Sequence, residues 1–354
     1  MKNLGKHHDG LKFGKRPTLE DVARVAKVAP MTVSRVITNH PYVSQNTAER
    51  VRAAILQLNY QPNRAARVLN GQLTRSIALI VPDVADRFFS AISHAVQETA
   101  RANGYVVLLA ASNNDPENEA ALIEQMTYHP VDGILLVPAD SKRKHLTVTA
   151  SSGIPLVAID RRIEVAKADS VEVNNRRGAR AGVEHLVHHG CKRIVCVAQN
   201  SQLPTIRERI AGYQECLRRA KLPPAKTLHV TDEAEAKDVL ITLLLSRRRP
   251  DALFTTNNSA TICTIDILDR TDMKIGRDVA LVGFDDVEFY TLLHPSITAI
   301  RQPTAELGET SARLLLQRIH GDPLPPQVHS ILPVDLIIRE SCGCERRDPL
   351  PNHT

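Results

Sequence analysis

The sequence has no tryptophan, and only 3% of its 354 residues are aromatic. It also has no apolar run of the length that crosses a membrane and no apolar segment that begins the chain. Because of these absences we expect a cytoplasmic protein that has no membrane partner. The sequence contains no Gly-x-Gly-x-x-Gly loop, Walker-type phosphate loop, His-Glu-x-x-His motif or nucleophile elbow. We therefore predict that the protein is not an enzyme and uses no cofactor.

Cysteine is scarce as well, and the six cysteines lack the spacing of a zinc finger. Cys342 and Cys344 could bind a metal or form a redox pair, but two thiolates are only half of the usual zinc ligand set. We interpret them as an incidental reduced pair. His185, His188 and His189 resemble metal ligands in spacing, but without a carboxylate in matching phase they are typical of a solvated helix face. No metal site is predicted.

Hydrophobic residues make up 43% of the chain and charged residues 24%, as in soluble globular proteins, and the length allows three compact units. The charge is uneven, because residues 1–70 contain twelve Lys and Arg but four Asp and Glu. A basic head on a nearly neutral body favours a partner rich in phosphate. A membrane surface is the alternative, but the predicted helices of this head lack a large exposed apolar face. Residues 1–16 are predicted to be a disordered basic tail.

Three short helical patterns follow that tail. Leu19, Val22, Ala23 and Ala26 fall on one helical face, and a third pattern runs through residues 47–60. Thr18 and Ser44 are predicted N-caps, with Asp21 placed to complete a capping box on Thr18. The short break at 27–29 fits a helix-turn-helix whose second helix presents polar and cationic residues, namely Thr32, Ser34 and Arg35. A three-helix bundle with a solvated basic face is the alternative.

The pattern of hydrophobic residues changes after residue 75, where short apolar runs alternate with helical patterns. The runs are 77–81, 105–110, 134–137, 156–159, 194–197, 253–255 and 280–283, and the helical patterns include 89–102, 118–128, 177–189 and 259–269. Alternation of this kind predicts an α/β fold with parallel sheets covered by helices. Because the strands are too many for one doubly wound sheet of usual size, we predict two similar lobes.

Polar side chains follow several of these strands at the edge where open α/β sheets bind ligands. Asp83, Asp160, Asn257 and Asp285 are in such positions, and Phe89 opens the helix after the first strand. Carboxylates and amides suit a polyhydroxylated ligand, and an aromatic ring can stack on a sugar or base. The alternatives are that Asp160 and Asp285 cap turns and that Phe89 faces the core.

Several segments resemble the lactose-repressor/galactose-repressor (LacI/GalR) family of transcriptional regulators. The headpiece matches are "TLEDVARVAKVAPMTVSRVI", "VSQNTAERV" and "YQPNRAARVL", and the body matches include "VDGILLVP", "RERIAGY", "DALFTTNN" and "VALVGFDD". The resemblance implies an all-α helix-turn-helix headpiece followed by two doubly wound lobes of the type I periplasmic-binding-protein kind. It also implies a helix-turn-helix domain over 17–62, a hinge helix and linker over 63–75, an effector-binding and dimerisation core over 76–341, and a tail over 342–354.

The resemblance also assigns residues to two sites. It implies contact with double-stranded DNA by Thr18, Leu19, Pro30, Met31, Thr32, Ser34, Arg35, Tyr42, Ser44, Asn63, Ala66 and Leu69, and contact with a small-molecule effector by Phe89, Asp160, Arg161, Arg209, Asn257 and Asp285. Pro30 and Met31 occupy the two positions most responsible for operator choice, so readout there depends on apolar contact. Leu69, at the end of a hinge helix that orders on DNA, is expected to wedge between base pairs. The alternative is that Leu69 packs under the core.

One departure from the family pattern affects the effector. Many members carry Asn-Asp where this chain has Asn257 and Asn258, so one charge is missing. If Arg161 faces the cleft beside Arg209, an acidic ligand becomes more attractive. We predict a homodimer, with a tetramer less favoured, on a pseudo-palindromic operator, whose affinity changes when a sugar, sugar acid or similar effector binds. A solute-binding transport protein is the rival function. Induction and co-repression both stay open.

Overall fold

The computed structural model describes residues 17–37, 40–60, 73–223, 227–230 and 233–344. The chain divides between Thr74 and Arg75 into two units. Within the described ranges, no helix has the length and apolar character needed to cross a membrane.

The described part of the first unit, the headpiece, is a bundle of three helices: α1 (Leu19–Ala26), α2 (Pro30–Ile37) and α3 (Gln45–Gln57). Thr18 Oγ1 accepts from the Asp21 backbone N–H at 3.3 Å, and the Asp21 carboxylate accepts from the Thr18 N–H at 2.9 Å. Ser44 caps α3 by accepting from the Thr47 N–H at 3.4 Å. Both predicted caps and the capping box are therefore confirmed. Val22, Val33 and Val51 are fully buried where the three apolar faces meet.

The second unit contains two sheets. The strands are β1 (Ser76–Val81), β2 (Val106–Ala111), β3 (Gly133–Leu136), β4 (Leu156–Ile159), β5 (Asp169–Val173), β6 (Ile194–Gln199), β7 (Thr227–Val230), β8 (Ala252–Thr255), β9 (Ala280–Phe284), β10 (Thr298–Arg301), β11 (His329–Leu332) and β12 (Asp335–Ile337). The helices are α4 (Arg87–Ala102), α5 (Pro116–Tyr128), α6 (Lys144–Ser151), α7 (Asn175–His188), α8 (Pro204–Arg219), α9 (Glu233–Leu244), α10 (Asn258–Arg270) and α11 (Thr304–His320).

The amino-terminal lobe is built on a parallel sheet of order β11-β5-β4-β3-β1-β2, and the carboxy-terminal lobe on one of order β12-β10-β9-β8-β6-β7. In the second sheet only β12 runs antiparallel to its neighbour. The chain passes between the lobes after β5, after β10 and after β11. The predicted α/β architecture, with an all-α headpiece and two parallel-sheet lobes, is confirmed.

The apolar patterns in the sequence do not predict strands that bury polar groups. β5 begins with Asp169, whose carboxylate accepts from Arg318 at 2.7 and 2.9 Å, and Ser170 beside it is also buried. Arg318 lies on α11, which is far away in sequence. Because these buried polar groups are stabilised by a residue that is distant in sequence, residues 169–173 lack the apolar run that predicts a buried strand.

Close packing of helices depends on glycine at two points. A Cβ atom on Gly308 of α11 would lie 2.6 Å from the Ile92 carbonyl oxygen of α4. Gly212 of α8 lies against the carbonyl of Arg176 on α7 in the same way. Any larger residue would push these helix pairs apart. Gly212 belongs to the segment that carries Arg209, so this packing fixes the position of that arginine.

Candidate DNA-binding surface and effector cleft

The second helix of the headpiece separates its buried and exposed residues cleanly. Val33 and Val36 are buried, whereas Pro30, Met31 and Arg35 are exposed, with 64% of Met31 open to solvent. Thr32 and Ser34 are half-buried. A short helix that projects two apolar residues, two hydroxyls and a guanidinium is able to dock in a major groove.

The other predicted DNA contacts fall into three groups. Thr18 and Ser44 are exposed at the amino termini of α1 and α3, and Tyr42 is 87% exposed beside His40. Leu19 is half-buried and packs against the headpiece core. Asn63, Ala66 and Leu69, the predicted hinge contacts, lie outside the described residues, as does the predicted tail over 1–16.

The two sheets of the second unit point their carboxyl ends at a cavity of about 90 Å³, the interlobe cleft. All six predicted effector residues line it: Phe89, Asp160, Arg161, Arg209, Asn257 and Asp285. The wall also includes residues that were not predicted, among them Asp86, Asn114, Asn200, Asn258 and Gln302. The structure therefore brings together side chains that are separated by more than a hundred positions in sequence.

Arg209 is buried in the cleft wall, with 4% of its surface exposed. Its Nε donates to Asn175 Oδ1 at 2.7 Å, and its NH1 donates to the Thr256 carbonyl at 2.8 Å and lies 3.7 Å from Asp285 Oδ1. The guanidinium carbon also lies 3.7 Å from the centroid of the Phe284 ring. The alternative that Arg209 pairs with Glu208 or another surface acid is therefore wrong, because Arg209 is buried and Glu208 pairs with Arg176.

Asp160 and Arg161 form a second buried pair. Arg161 Nε donates to Asp160 Oδ2 at 3.1 Å, and its NH1 donates to the Pro138 carbonyl and to Asn114 Oδ1, each at 3.3 Å. The backbone of Asp160 is left-handed, with φ of 69°, a conformation that costs energy for a residue other than glycine. Arg162 is exposed, so the two adjacent arginines have different roles.

Asp285 has the same left-handed backbone, with φ of 73°. Its carboxylate accepts from Gln302 Nε2 at 2.5 Å and from the Asn258 backbone N–H at 3.2 Å. Burial raises the pKa of this carboxyl, although Arg209 and Gln302 oppose the shift. Burial likewise lowers the pKa of Arg209. Burial of both charges costs desolvation free energy, and packing of the surrounding lobe offsets that cost.

Gln302 has one polar atom without a partner. Its Oε1 is buried and accepts no hydrogen bond from the described residues, and Thr256 Oγ1 next to the cleft is in the same situation. Buried acceptors without donors are rare and costly. A hydroxyl or amino group is the kind of donor that such an oxygen lacks.

The lobes are joined across the cleft by side chains near its edge. Asn258 Nδ2 donates to Asp86 Oδ1 at 3.1 Å, which links α10 to the cap of α4. Arg87 and Glu288 approach to 3.6 Å as an exposed ion pair. Asn257 accepts from the Ala260 N–H at 2.9 Å, so its oxygen caps α10 while the residue lines the cavity.

Phe89 was predicted either to stack on a ligand or to face the core, and its position combines core packing with a place in the cleft wall. It is 8% exposed and belongs to the hydrophobic core of the amino-terminal lobe, where its ring meets Phe88 edge to face at 5.0 Å. It also lines the interlobe cleft. A ring that is fixed by the core offers a rigid apolar wall to a ligand.

The rule that polar residues after strands face the cleft is only partly right. Asp83 is exposed, and its carboxylate accepts from the Ala85 N–H at 2.8 Å as a turn cap. Asp86, the N-cap of α4, lines the cavity instead. Asn200 directly follows β6, so a full application of the rule would have found it. Gln302 follows β10, a strand that the apolar patterns did not reveal.

A cavity of about 690 Å³ lies elsewhere in the carboxy-terminal lobe, between residues 274–277 and 293–296. The smaller interlobe cleft differs from this cavity, because buried charged and amide groups from both lobes converge there among the described residues. A neighbouring space of about 400 Å³ shares Phe88, Asp285 and Gln302 with the cleft.

Comparison with known proteins supports this arrangement. The profile of the bacterial regulatory proteins of the lacI family matches residues 18–63, and that of the periplasmic binding protein-like domain matches residues 183–342. The ribose operon repressor of Halalkalibacterium halodurans is 31% identical over 92% of this chain and 96% of its own length. The chain belongs to the lacI family of bacterial regulatory proteins.

Two further relatives show how far the similarity extends. The transcriptional repressor PurR of Haemophilus influenzae is 32% identical over 92% of this chain and 98% of its own length. The lac repressor dimer bound to operator and the anti-inducer ONPF is 27% identical, with a TM-score of 0.81, and the match covers 93% of this chain and 99% of that one. As a lacI-family protein, the chain is a ligand-responsive, DNA-binding transcriptional regulator.

Proposed function

We propose that this lacI-family protein is a cytoplasmic repressor that senses a neutral, polyhydroxylated small molecule of the sugar class and controls genes for its metabolism. The unpaired Oε1 of Gln302 in the interlobe cleft is the observation that carries the proposal. A sugar hydroxyl can donate to that oxygen and accept from a neighbouring N–H at the same time.

The charge of the cleft favours a neutral ligand over a sugar acid. Asp86, Asp160 and Asp285 line it against Arg161 and Arg209, so carboxylates outnumber guanidinium groups. Both arginines are also already bound to protein acceptors. A ligand carboxylate only accepts hydrogen bonds, so it would meet the acceptors of Asp285 and Gln302 without supplying a donor. Arg161 and Arg209 do both line the cleft, which was the condition for an acidic ligand, but their bonds to protein acceptors favour a neutral one.

The same proposal includes two copies of the chain on one operator. The lac repressor relative is a dimer on its operator. Here the edge strand β2 exposes Val106 and Leu108 on one face and Leu109 on the other, apolar side chains that a second copy could cover. Two headpieces would then reach two half-sites, and closure of the lobes on the effector would change operator affinity through residues 63–75.

Calorimetry on the full chain tests the effector class. The panel contains neutral aldopentoses and aldohexoses, the aldonic acid that matches each sugar, and nucleosides. We expect one neutral sugar to bind at least about tenfold more tightly than its acid, a difference of about 1.4 kcal/mol. Tighter binding of the acid, or binding of nucleosides alone, would contradict the proposal.

A further inference from the structure

The described chain ends by folding back onto the carboxy-terminal lobe. Ser341 Oγ donates to the Leu281 carbonyl at 2.7 Å and accepts from the Thr298 N–H at 2.8 Å. Cys342 is fully buried in the core beside α7. These contacts fix the position from which Gly343 and Cys344 leave the core.

The last turn of α7 meets this segment. His185 and the C-cap residue His189 are four positions apart, so they lie on one face of the helix, and their ring centroids are 4.6 Å apart. Both are half-buried, whereas His188 is exposed. The interpretation of these histidines as a solvated helix face therefore holds for His188 only.

Three potential metal ligands converge here. Cys344 Sγ lies 3.1 Å from His185 Nε2, and the donor atoms of His185, His189 and Cys344 are all within 4.8 Å of one another. Cys342 Sγ lies 2.6 Å from Cys344 Sγ, beside this group but outside the set of atoms that are all within 4.8 Å of one another.

Two imidazole nitrogens and two thiol sulfurs form the donor set of structural zinc sites. Tetrahedral bonds of about 2.0 Å to nitrogen and about 2.3 Å to sulfur place neighbouring N and S donors about 3.6 Å apart, and two S donors about 3.8 Å apart. The His185–Cys344 separation is close to the first value. The two sulfurs need to part by about 1 Å, which a rotation of the Cys344 side chain can supply. Oxygen-seeking ions such as Mg²⁺ and Ca²⁺ find no suitable ligand in this set.

We propose that His185, His189, Cys342 and Cys344 bind one zinc ion, which fastens the end of the lobe to α7. This site is separate from the interlobe cleft. The other end of α7 carries Asn175, which holds Arg209 in the cleft wall. The zinc ion would stabilise the helix that positions that arginine.

Cobalt titration of the full chain tests the site, because Co²⁺ in a thiolate site has a ligand-to-metal charge-transfer band in the near ultraviolet. The protein is stripped with a chelator under reducing conditions and titrated with Co²⁺, and Zn²⁺ is then added. We expect the band to saturate at one Co²⁺ per chain and to disappear when Zn²⁺ displaces it.

Variants at partly exposed ligands avoid unfolding the core. Cys344→Ser and His189→Gln should each weaken Co²⁺ binding by at least about tenfold, the lower end of the cost of losing even an outer-shell partner. His188→Gln, on the same turn, and Cys263→Ser, elsewhere in the lobe, are matched controls that should leave the band unchanged. His7→Gln/His8→Gln should also leave it unchanged, because histidines alone give no thiolate band.

Three outcomes would overturn the proposal. The first is a wild-type protein without a thiolate band, and the second is an equal affinity for Co²⁺ in the Cys344→Ser and His189→Gln variants. The third is a Cys342–Cys344 disulfide in the zinc-loaded protein, detected as a mass lower by two hydrogens, because oxidised sulfurs cannot be thiolate ligands. Retention of one zinc ion per chain, lost in Cys344→Ser but kept in His188→Gln, would support it.

Discussion

The headpiece and the interlobe cleft place their functional residues in opposite environments. In the headpiece, Val22, Val33 and Val51 form the core, while the predicted DNA contacts Met31, Arg35 and Tyr42 are exposed. In the cleft, Asp160, Arg161, Arg209 and Asp285 are buried and bond to one another or to nearby backbone groups. The predicted recognition residues of α2 thus lie apart from the headpiece core, whereas the predicted recognition residues of the cleft are themselves buried in the fold.

Mutations in the headpiece and in the cleft should therefore differ in their effects on stability and on binding. Replacement of an exposed headpiece residue should change binding at little cost in stability, because water replaces the lost contacts. Replacement of a buried charge in the cleft leaves its partner desolvated and unpaired. Such a change should lower stability and effector affinity together.

The largest effect is expected for Arg209→Ala. The change leaves Asp285 and Asn175 without their partner in a buried site, at a cost of about 3–5 kcal/mol of unfolding free energy. Effector binding should become undetectable by calorimetry. Arg207→Ala, two positions away and exposed, is the control, and it should change neither quantity. A stable Arg209→Ala protein that binds the effector normally would show that the buried charges of the cleft serve neither folding nor recognition.

Asp286, next to Asp285, should show a smaller and pH-dependent effect. Burial raises its pKa, but ion pairs with Arg339 at 2.8 and 2.9 Å and with Arg301 at 2.7 Å outweigh burial and lower the pKa below its ordinary value of 3.8. A lowered pKa means that the ionised form stabilises the folded state above pH 3.8 and that this contribution is lost as the pH falls further.

We expect Asp286→Asn to lower the free energy of unfolding by about 1–3 kcal/mol at pH 7. In urea titrations at several pH values, the gap between wild type and variant should be constant near neutrality and should close in the acid range. A gap that stays constant down to the acid limit would show that the loss comes from packing alone.

Prediction from sequence followed the same division between surface and interior. The headpiece helices, their caps and the outward residues of α2 were predictable, because local spacing decides them. The six cleft residues were predictable from strand ends and family resemblance. Gln302 and Asn114 were not, because their partners Asp285 and Arg161 are distant in sequence. The convergence of His185 and His189 with Cys344 was missed for the same reason.

Arg35→Ala in the headpiece should weaken DNA binding without destabilising the fold. An exposed arginine that reads a guanine contributes about 1–3 kcal/mol to specific binding, so operator affinity should fall about 5- to 150-fold. Stability should change by less than about 0.5 kcal/mol. Competition with random DNA measures whether preference at one base-pair position relaxes. Equal losses on specific and random DNA would mean that Arg35 contacts phosphate only.

The smallest effect is expected for Gln302→Leu. The change removes a donor to Asp285 and the unpaired oxygen together, so the two effects on stability partly offset each other. The affinity for a neutral sugar should fall about fivefold, the value of one hydrogen bond of about 1 kcal/mol. Calorimetry that shows unchanged affinity would remove Gln302 from the binding wall.

Coupling between the cleft and the headpiece is most directly measured by fluorescence anisotropy of a labelled operator fragment with the full chain. The sugar that binds most tightly in calorimetry is titrated into the complex. We predict a change in operator affinity of about 5- to 150-fold, which corresponds to a coupling free energy of about 1–3 kcal/mol, and no change in Arg209→Ala. Equal operator affinity with and without a saturating sugar would contradict the account.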